Sequence, residues 1–314
     1  METLGEVSQW IRDYVNDPRH QQHLLSIRFS WYQLCSAMDV IDDIDMALEA
    51  YLTADFPNDT GEKYLRIYGV LQALFVQQDA LRHLIDIIRP SVQVELSDVL
   101  KEVRDLRSAS IGHPTEFKRK GEKSVHAISR ITLGKDGFQM LSFDEKNGTS
   151  FRNVPVRTLV EKQRTEATRI LLEVVKQLQE EDRTHKEQFR ETKLRASFGQ
   201  TLYAFEKVFE DLKGNSQRAM GGWGADHLQN SLDQFESLLK ARGMNLETYD
   251  SIKYRYDEIR YPLSELRKFF ASQESDISKR ETAVVFADAL QGHFSELMDI
   301  AKEIDEEYES ARSE

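Results

Sequence analysis

Val103-Arg104-Asp105-Leu106-Arg107-Ser108-Ala109-Ser110-Ile111-Gly112-His113-Pro114-Thr115 is where the pattern of this chain turns. Upstream, apolar residues recur at the three-to-four spacing of helices with one buried stripe; downstream, short runs rich in β-branched and aromatic residues alternate with turn signals. Within the stretch, Val103, Leu106 and Ala109/Ser110 continue the stripe of a helix expected over roughly residues 92–112. Gly112-His113-Pro114 stops that helix, because glycine lets the last turn unwind and proline has no N–H to continue it.

Working outward, residues 3–54 read as helical with a break near Asn16-Asp17-Pro18, burying Leu24, Ile27, Trp31, Leu34, Met38, Ile41 and Leu48; Trp31 and Tyr32 read as core. The turn cluster Phe56-Pro57-Asn58-Asp59-Thr60-Gly61 closes this segment. A second helix is expected from about Glu62 to Arg89, with Leu65, Tyr68, Leu71, Ala73, Leu74, Leu81, Leu84 and Ile88 inward and Pro90 ending it. Downstream, Ser124–Thr132, Phe138–Phe143 and Thr149–Val154 read as strands, separated by Gly134-Lys135-Asp136-Gly137 and Asp144-Glu145-Lys146-Asn147-Gly148. They predict a three-stranded antiparallel meander, too small to stand alone, which must pack on the helices or on another chain.

From Pro155 the pattern is helical again, with a stripe through Leu159, Ile170, Leu171, Val174, Val175 and Leu178, and then the charged stretch 179–195, expected as a projecting, solvated helix. Beyond the breaks at Gly214-Asn215 and Gly221-Gly222-Trp223-Gly224, helices are expected at about 225–242, 246–272 and 276–312, the last with Val285 on its buried stripe. The fold class is therefore mainly α: a helical bundle with a small β-meander insertion and a C-terminal helical region. The expected division is 1–155, with the meander at about 124–154, and 156–314.

Composition bounds the function. In 314 residues, hydrophobic residues make up 40% and charged residues 31%, with 6 prolines and 15 glycines, the profile of a soluble helical protein. No run approaches the roughly 18 apolar residues of a membrane span, and Met1–Glu6 lacks the basic and apolar regions of a signal peptide. The single Cys35 allows no intramolecular disulfide and no thiolate-rich zinc site. A cytoplasmic location without membrane contact is expected. The net charge of −12 opposes broad affinity for nucleic acid. Against that background Lys101, Arg104, Arg107, Lys118, Arg119, Lys120, Lys123, Arg130 and Lys135 cluster around few acids, a local reversal of sign.

Arg107 and His113 carry the chemistry. Metal-free RNA cleavage needs a base for the 2′-hydroxyl, an acid for the departing 5′-oxygen and positive charge on the phosphorus centre. Histidine serves the proton steps because it titrates near neutrality, and arginine serves the phosphate with a fixed, permanently charged fork. On an ideal helix, positions six apart lie about 120° from one another and about 9 Å along the axis. Arg107 and His113 converge only if Gly112 unwinds the turn or a second copy supplies the missing group. Arg119/His126, seven positions apart, is a similar arginine–histidine pairing but crosses from a loop into a strand, and reads as a chance pairing.

Arg107-Ser108-Ala109-Ser110-Ile111-Gly112-His113-Pro114 resembles the R-x(4–6)-H signature of the HEPN superfamily, and Tyr68–Ala80 is similar to the helix that precedes the signature in bacterial members. The resemblance covers roughly residues 20–115 and leaves the C-terminal half unaccounted for. It implies a helical bundle that dimerises and, in active members, a metal-independent endoribonuclease with Arg107 and His113 at the dimer seam. Such members act as toxins, abortive-infection effectors and CRISPR-associated nucleases. Ser108 stands where the family usually carries Asn or another polar residue, so a non-catalytic interaction or regulatory protein is the alternative. On the nuclease reading Arg104, Ser108, Lys118, Arg119, Lys120 and Lys123 contact RNA. The partners are RNA, a second copy, and an antitoxin or regulatory protein; no cofactor or metal is called for.

Other patterns point less far. Asp39, Asp42, Asp43 and Asp45 read as a solvated helix face, and His20 with His23 lacks a third metal ligand. Gly221-Gly222-Trp223-Gly224 lacks the Lys-Ser/Thr of a phosphate loop and reads as a hinge with a packing tryptophan. There is no Gly-x-Ser-x-Gly, and nothing in the sequence beside Cys35 would activate it.

Overall fold

The computed structural model describes residues 2–21, 28–88, 97–119, 122–144, 148–214 and 219–310. The fold is mainly helical, as read from the sequence. Helices α1 (Leu4–Asn16), α2 (Arg28–Thr53), α3 (Thr60–Ile88) and α4 (Asp98–Arg107) come first, and α4 runs into a π-turn, Ser108–Gly112. Strands β1 (Phe117–Arg119), β2 (Glu122–Ile128), β3 (Phe138–Asp144) and β4 (Gly148–Val154) follow. The chain then forms α5 (Val156–Phe189), a 3₁₀ turn (Leu194–Phe198), α6 (Thr201–Leu212), α7 (Ala219–Ala241), α8 (Asp250–Phe270) and α9 (Arg280–Ser310). The expected helix end at Pro90 lies outside the described residues.

The meander is the run β2–β3–β4, antiparallel throughout, with His126 opposite Ser142 and Met140 opposite Arg152. The short β1 adds a fourth strand on the β2 edge, pairing Phe117 with Ser124. Gly137 makes the β3 entry possible: its φ of +154° is open to glycine, and a Cβ there would meet the Val154 carbonyl oxygen at 2.0 Å.

Two compact units divide the chain: Met1–Asn16 with Leu24–Gln179, and Asp17–His23 with Glu180–Glu314. The division falls inside α5, later than the strand–helix junction at 155, because the first half of α5 belongs to the first core. There Ala167, Ile170, Leu171 and Val174 pack with Leu34, Met38, Ile41, Leu81 and Leu84. A second cluster lies under the sheet, where Phe138, Met140 and Val154 cover Leu71, Leu74, Val103, Leu106 and Leu159. The meander therefore packs on its own helices. Buried amides tie α2, α3 and α5 together: Gln77 donates to the Ile41 carbonyl at 3.4 Å, Gln78 donates to Gln163 at 2.8 Å, and Gln163 donates to the Leu74 carbonyl at 2.8 Å.

Some expected core positions face solvent. Leu65 is 73% exposed, and Tyr32 and Tyr68 also lie out. From Tyr64 to Leu71 nearly every position but Arg66 is apolar or glycine, so spacing does not select a face there; Ile67, Val70 and Leu71 take the core side. Val285 is exposed in the same way on α9.

In the second unit Phe198, Phe205, Phe235, Leu263, Leu266, Phe294 and Leu297 form the centre of the core. Asp305, fully buried, accepts hydrogen bonds from Leu194 N at 2.9 Å and Arg195 N at 3.0 Å, and pairs with buried Arg242 at 3.0 Å. The charged end of α5 is not purely solvated: Lys186 reaches Glu307 at 2.9 Å and His185 reaches Tyr308 at 3.1 Å. The expected hinge Gly221-Gly222-Trp223-Gly224 is instead inside α7. A Cβ on Gly224 would meet the Ala204 carbonyl oxygen at 2.6 Å, and one on Gly221 would meet Phe270 at 2.4 Å. These glycines let α6 and α8 approach α7 closely.

Candidate functional site

The site is built where α4 ends. Ser97 caps the helix by accepting from Leu100 N, and Asp98 follows in the first turn; Arg104 and Arg107 occupy the last, where the carbonyl end of the helix favours cations. The backbone then widens. His113 N donates to Ser108 O at 2.8 Å, the i→i−5 bond of a π-turn, a feature concentrated at functional sites in helices. Buried Ser110 donates to Met140 Sδ at 3.6 Å and His126 N donates to Pro114 O at 2.7 Å, so the sheet holds the turn from behind.

Arg107 folds back over this turn. Its Nε and Nη2 donate to Gln72 Oε1 at 3.0 and 2.9 Å, and its guanidinium lies 4.6 Å from the Phe75 ring centroid. Nη1 lies against Gly112: a Cβ on that glycine would be 2.9 Å away. One chain therefore brings the guanidinium to the residue preceding His113, a closeness that ideal helix geometry denied. The π-turn and the missing side chain at position 112 account for the difference. The His113 side chain is exposed.

Arg104 shares the Phe75 ring, 4.2 Å from its centroid, but its Nη1 pairs with Asp79 at 2.8 Å. The two arginines differ in consequence. Among the described residues Arg104 is compensated by a carboxylate, whereas Arg107 is oriented by the neutral oxygen of an amide, which leaves its charge for an incoming anion. Ser108 is half-buried and gives its carbonyl to the π-turn. Lys123 reaches Glu116 at 3.3 Å. Lys118 and Arg119 contribute backbone to β1 while their side chains, and all of Lys120, lie outside the described residues.

The sequence reading missed Gln72, Phe75 and Asp79. They sit at i, i+3 and i+7 on α3, a one-face spacing that becomes a signal only once α4 is known to lie against that face. His126, the chance pairing, has both ring nitrogens occupied, Nε2 by Ser124 Oγ at 2.9 Å and Nδ1 by Ser142 Oγ at 2.8 Å, and burial pushes its pKa down.

The remaining candidates resolve into structure. Arg12 pairs with Asp39 at 3.0 Å and Asp42 at 2.8 Å, and Arg164 pairs with Asp45 at 2.7 Å. Among the described residues no three His, Cys, Asp or Glu side chains are grouped to hold a metal ion. His20 lies 3.8 Å from Asp182, and His23 is outside the described residues. Burial and Asp39 push the Cys35 thiol up, away from the reactive thiolate. No helix among the described residues is long and apolar enough to cross a membrane. No protein-family model, curated protein or solved structure matches the chain.

Proposed function

We propose that this protein is a metal-independent endoribonuclease of HEPN type. The observation that carries the proposal is the Arg107 guanidinium, which has no carboxylate partner among the described residues and is held by Gln72 and Phe75 against Gly112, the residue before the exposed His113. Arg107 binds the scissile phosphate and stabilises charge on the pentacoordinate phosphorus. His113 moves the proton, either taking it from the 2′-hydroxyl or giving it to the 5′-oxygen. The bond formed joins the 2′-oxygen to phosphorus, the bond broken frees the 5′-oxygen, and the products carry 2′,3′-cyclic phosphate and 5′-hydroxyl ends. A single histidine supplies one proton transfer, and a second copy of the chain across a dimer seam would supply the other. Arg104, Lys118, Arg119, Lys120 and Lys123 would guide the RNA backbone to Arg107, and Ser108 would face it beside them.

A toxin or defence role in the cytoplasm, held in check by an antitoxin or regulatory protein, suits such an activity. The second reading is a non-catalytic HEPN-like interaction protein. It is favoured by the Arg104–Asp79 pair and by the neighbouring apolar groove of about 410 Å³ that Asp79 lines with Phe29, Tyr32, Val40 and Val76.

Wild type and His113→Ala, incubated with total RNA in EDTA, separate the two. The nuclease reading expects wild-type cleavage with cyclic-phosphate ends, reduced by at least a hundredfold in the variant. Equal cleavage by both chains, or none by wild type, would leave the interaction reading.

A further inference from the structure

The second unit contains a groove that the nuclease reading does not use. It has a volume of about 620 Å³ and runs between α7 and α8. Gly222, Phe270 and Ala271 make its floor, Trp223 and Asp226 one wall, and Arg267 and Lys268 the other, with Ser264 and Gln273.

The glycines create it. Gly221 cannot carry a side chain against Phe270, and Gly222 has Phe270 Cβ at 3.5 Å from where its own Cβ would be, so the two helices close on each other at that point. Trp223, between these glycines and Gly224, is turned outward and remains 39% exposed. Its indole lies parallel to His227, 5.3 Å between centroids at 18°, and edge-on to Tyr203 at 5.7 Å and 69°. The ring is thus held in place while part of its surface faces solvent, ready to be stacked upon.

The facing wall is polar and cationic. Arg267 pairs with Asp226 at 2.7 Å, both side chains exposed, and Lys268 reaches Glu265 at 2.6 Å. An exposed ion pair of that kind is weakly held and opens to a better anion. A guanidinium fork matches a phosphate bidentately, and an exposed indole matches the face of an aromatic base. The volume lies in the range of small-molecule sites.

We propose that this groove binds a nucleotide, with its base against Trp223 and its phosphate on Arg267 and Lys268 in place of Asp226. The ligand is a free mononucleotide or the phosphate-bearing end of an RNA strand, which present the same chemistry.

The test uses the full-length His113→Ala chain, so that no probe is consumed, and follows AMP, adenosine, inorganic phosphate and a short oligoadenylate with a 3′-phosphate by calorimetry. AMP is expected to bind saturably, at least tenfold more tightly than adenosine or phosphate alone. Trp223→Leu and Arg267→Gln, each added to that background, are each expected to weaken AMP binding at least tenfold with unchanged circular dichroism. Arg267→Gln keeps the test decisive if Trp223→Leu unfolds, because Arg267 lies on the surface. Oligoadenylate tighter than AMP would assign the groove to RNA ends, and AMP at least as tight would assign it to free nucleotide. The proposal is overturned if neither probe binds saturably, if Arg267→Gln leaves affinity unchanged, or if phosphate binds as tightly as AMP.

Discussion

At the scale of single residues, the decisive contrast is between two arginines one helical turn apart on the same phenylalanine. Arg104 has a carboxylate partner and Arg107 an amide. Converting Gln72 to glutamate keeps shape and hydrogen-bond geometry but places a negative charge on Arg107. Gln72→Glu should therefore fold as wild type, with an unchanged or slightly raised Tm, yet lose about tenfold to a thousandfold in RNA cleavage, the scale of losing one preorganised electrostatic contact. Gln72→Ala, which frees the guanidinium without neutralising it, should lose less; the kcat/KM order wild type, Ala, Glu is the check. This contrast was only half legible in the sequence. Arg107 and His113 could be picked out because a helix end, a glycine and a proline are local signals. Gln72 is 35 positions away from Arg107, and nothing in an arginine's neighbourhood reveals whether its partner will be an amide or a carboxylate.

At the scale of elements, the long helices and the meander were legible because each carries its own period and its own turn residues. What escaped was set by contact between elements. The buried face of α3 was ambiguous until the sheet and α4 chose it, and Gly221–Gly224 read as a break because glycine is a poor helix former in isolation. In the folded unit those glycines are contact points instead. Gly224→Val should drive α6 and α7 apart, since the neighbour it would strike is a backbone oxygen that cannot swing away; overpacking of this kind costs about 1–3 kcal/mol, readable as a fall in the denaturant midpoint. Asp305 illustrates the opposite case, a charge that holds elements together. It joins α9 to the 3₁₀ turn at Leu194 and, through Arg242, to the end of α7. Asp305→Ala strands a fully buried guanidinium and should cost about 3–5 kcal/mol, whereas Arg242→Met with Asp305→Leu should recover most of that loss. If the double variant is no better than the single one, the pair acts through the two backbone amides rather than through charge.

At the scale of the whole molecule, the acid side of the stability profile follows from where the titratable groups are buried. Burial, and then the charge of Arg19, lower the His185 pKa from 6.5 to about 4. The folded chain thus declines a proton that the unfolded chain accepts between those two values. The contribution of His185 is intact above pH 6.5 and is lost as the pH falls toward about 4. His126 in the first unit is lowered by burial as well and acts in the same direction. Carboxylates enter later. For Asp182, burial is outweighed by contacts from His20 and Lys186 and by the charge of Arg19, so its carboxyl sits well below the ordinary carboxylate range and its support disappears only in stronger acid. Two stages of acid destabilisation are therefore expected, a histidine stage beginning near neutrality and a carboxylate stage below it. His185→Gln preserves an acceptor for the Tyr308 hydroxyl at 3.1 Å but cannot take up a proton. Relative to wild type it should reduce the fall in Tm between pH 7 and pH 5 by on the order of 2–5 °C and leave the steep loss below pH 4 in place. Calorimetry across that range reads both stages at once. Parallel Tm profiles for the two chains down to pH 5 would mean that His185 accepts its proton in the folded state, and that the packing of Tyr308 and Phe189 around the ring opens more readily than its burial implies.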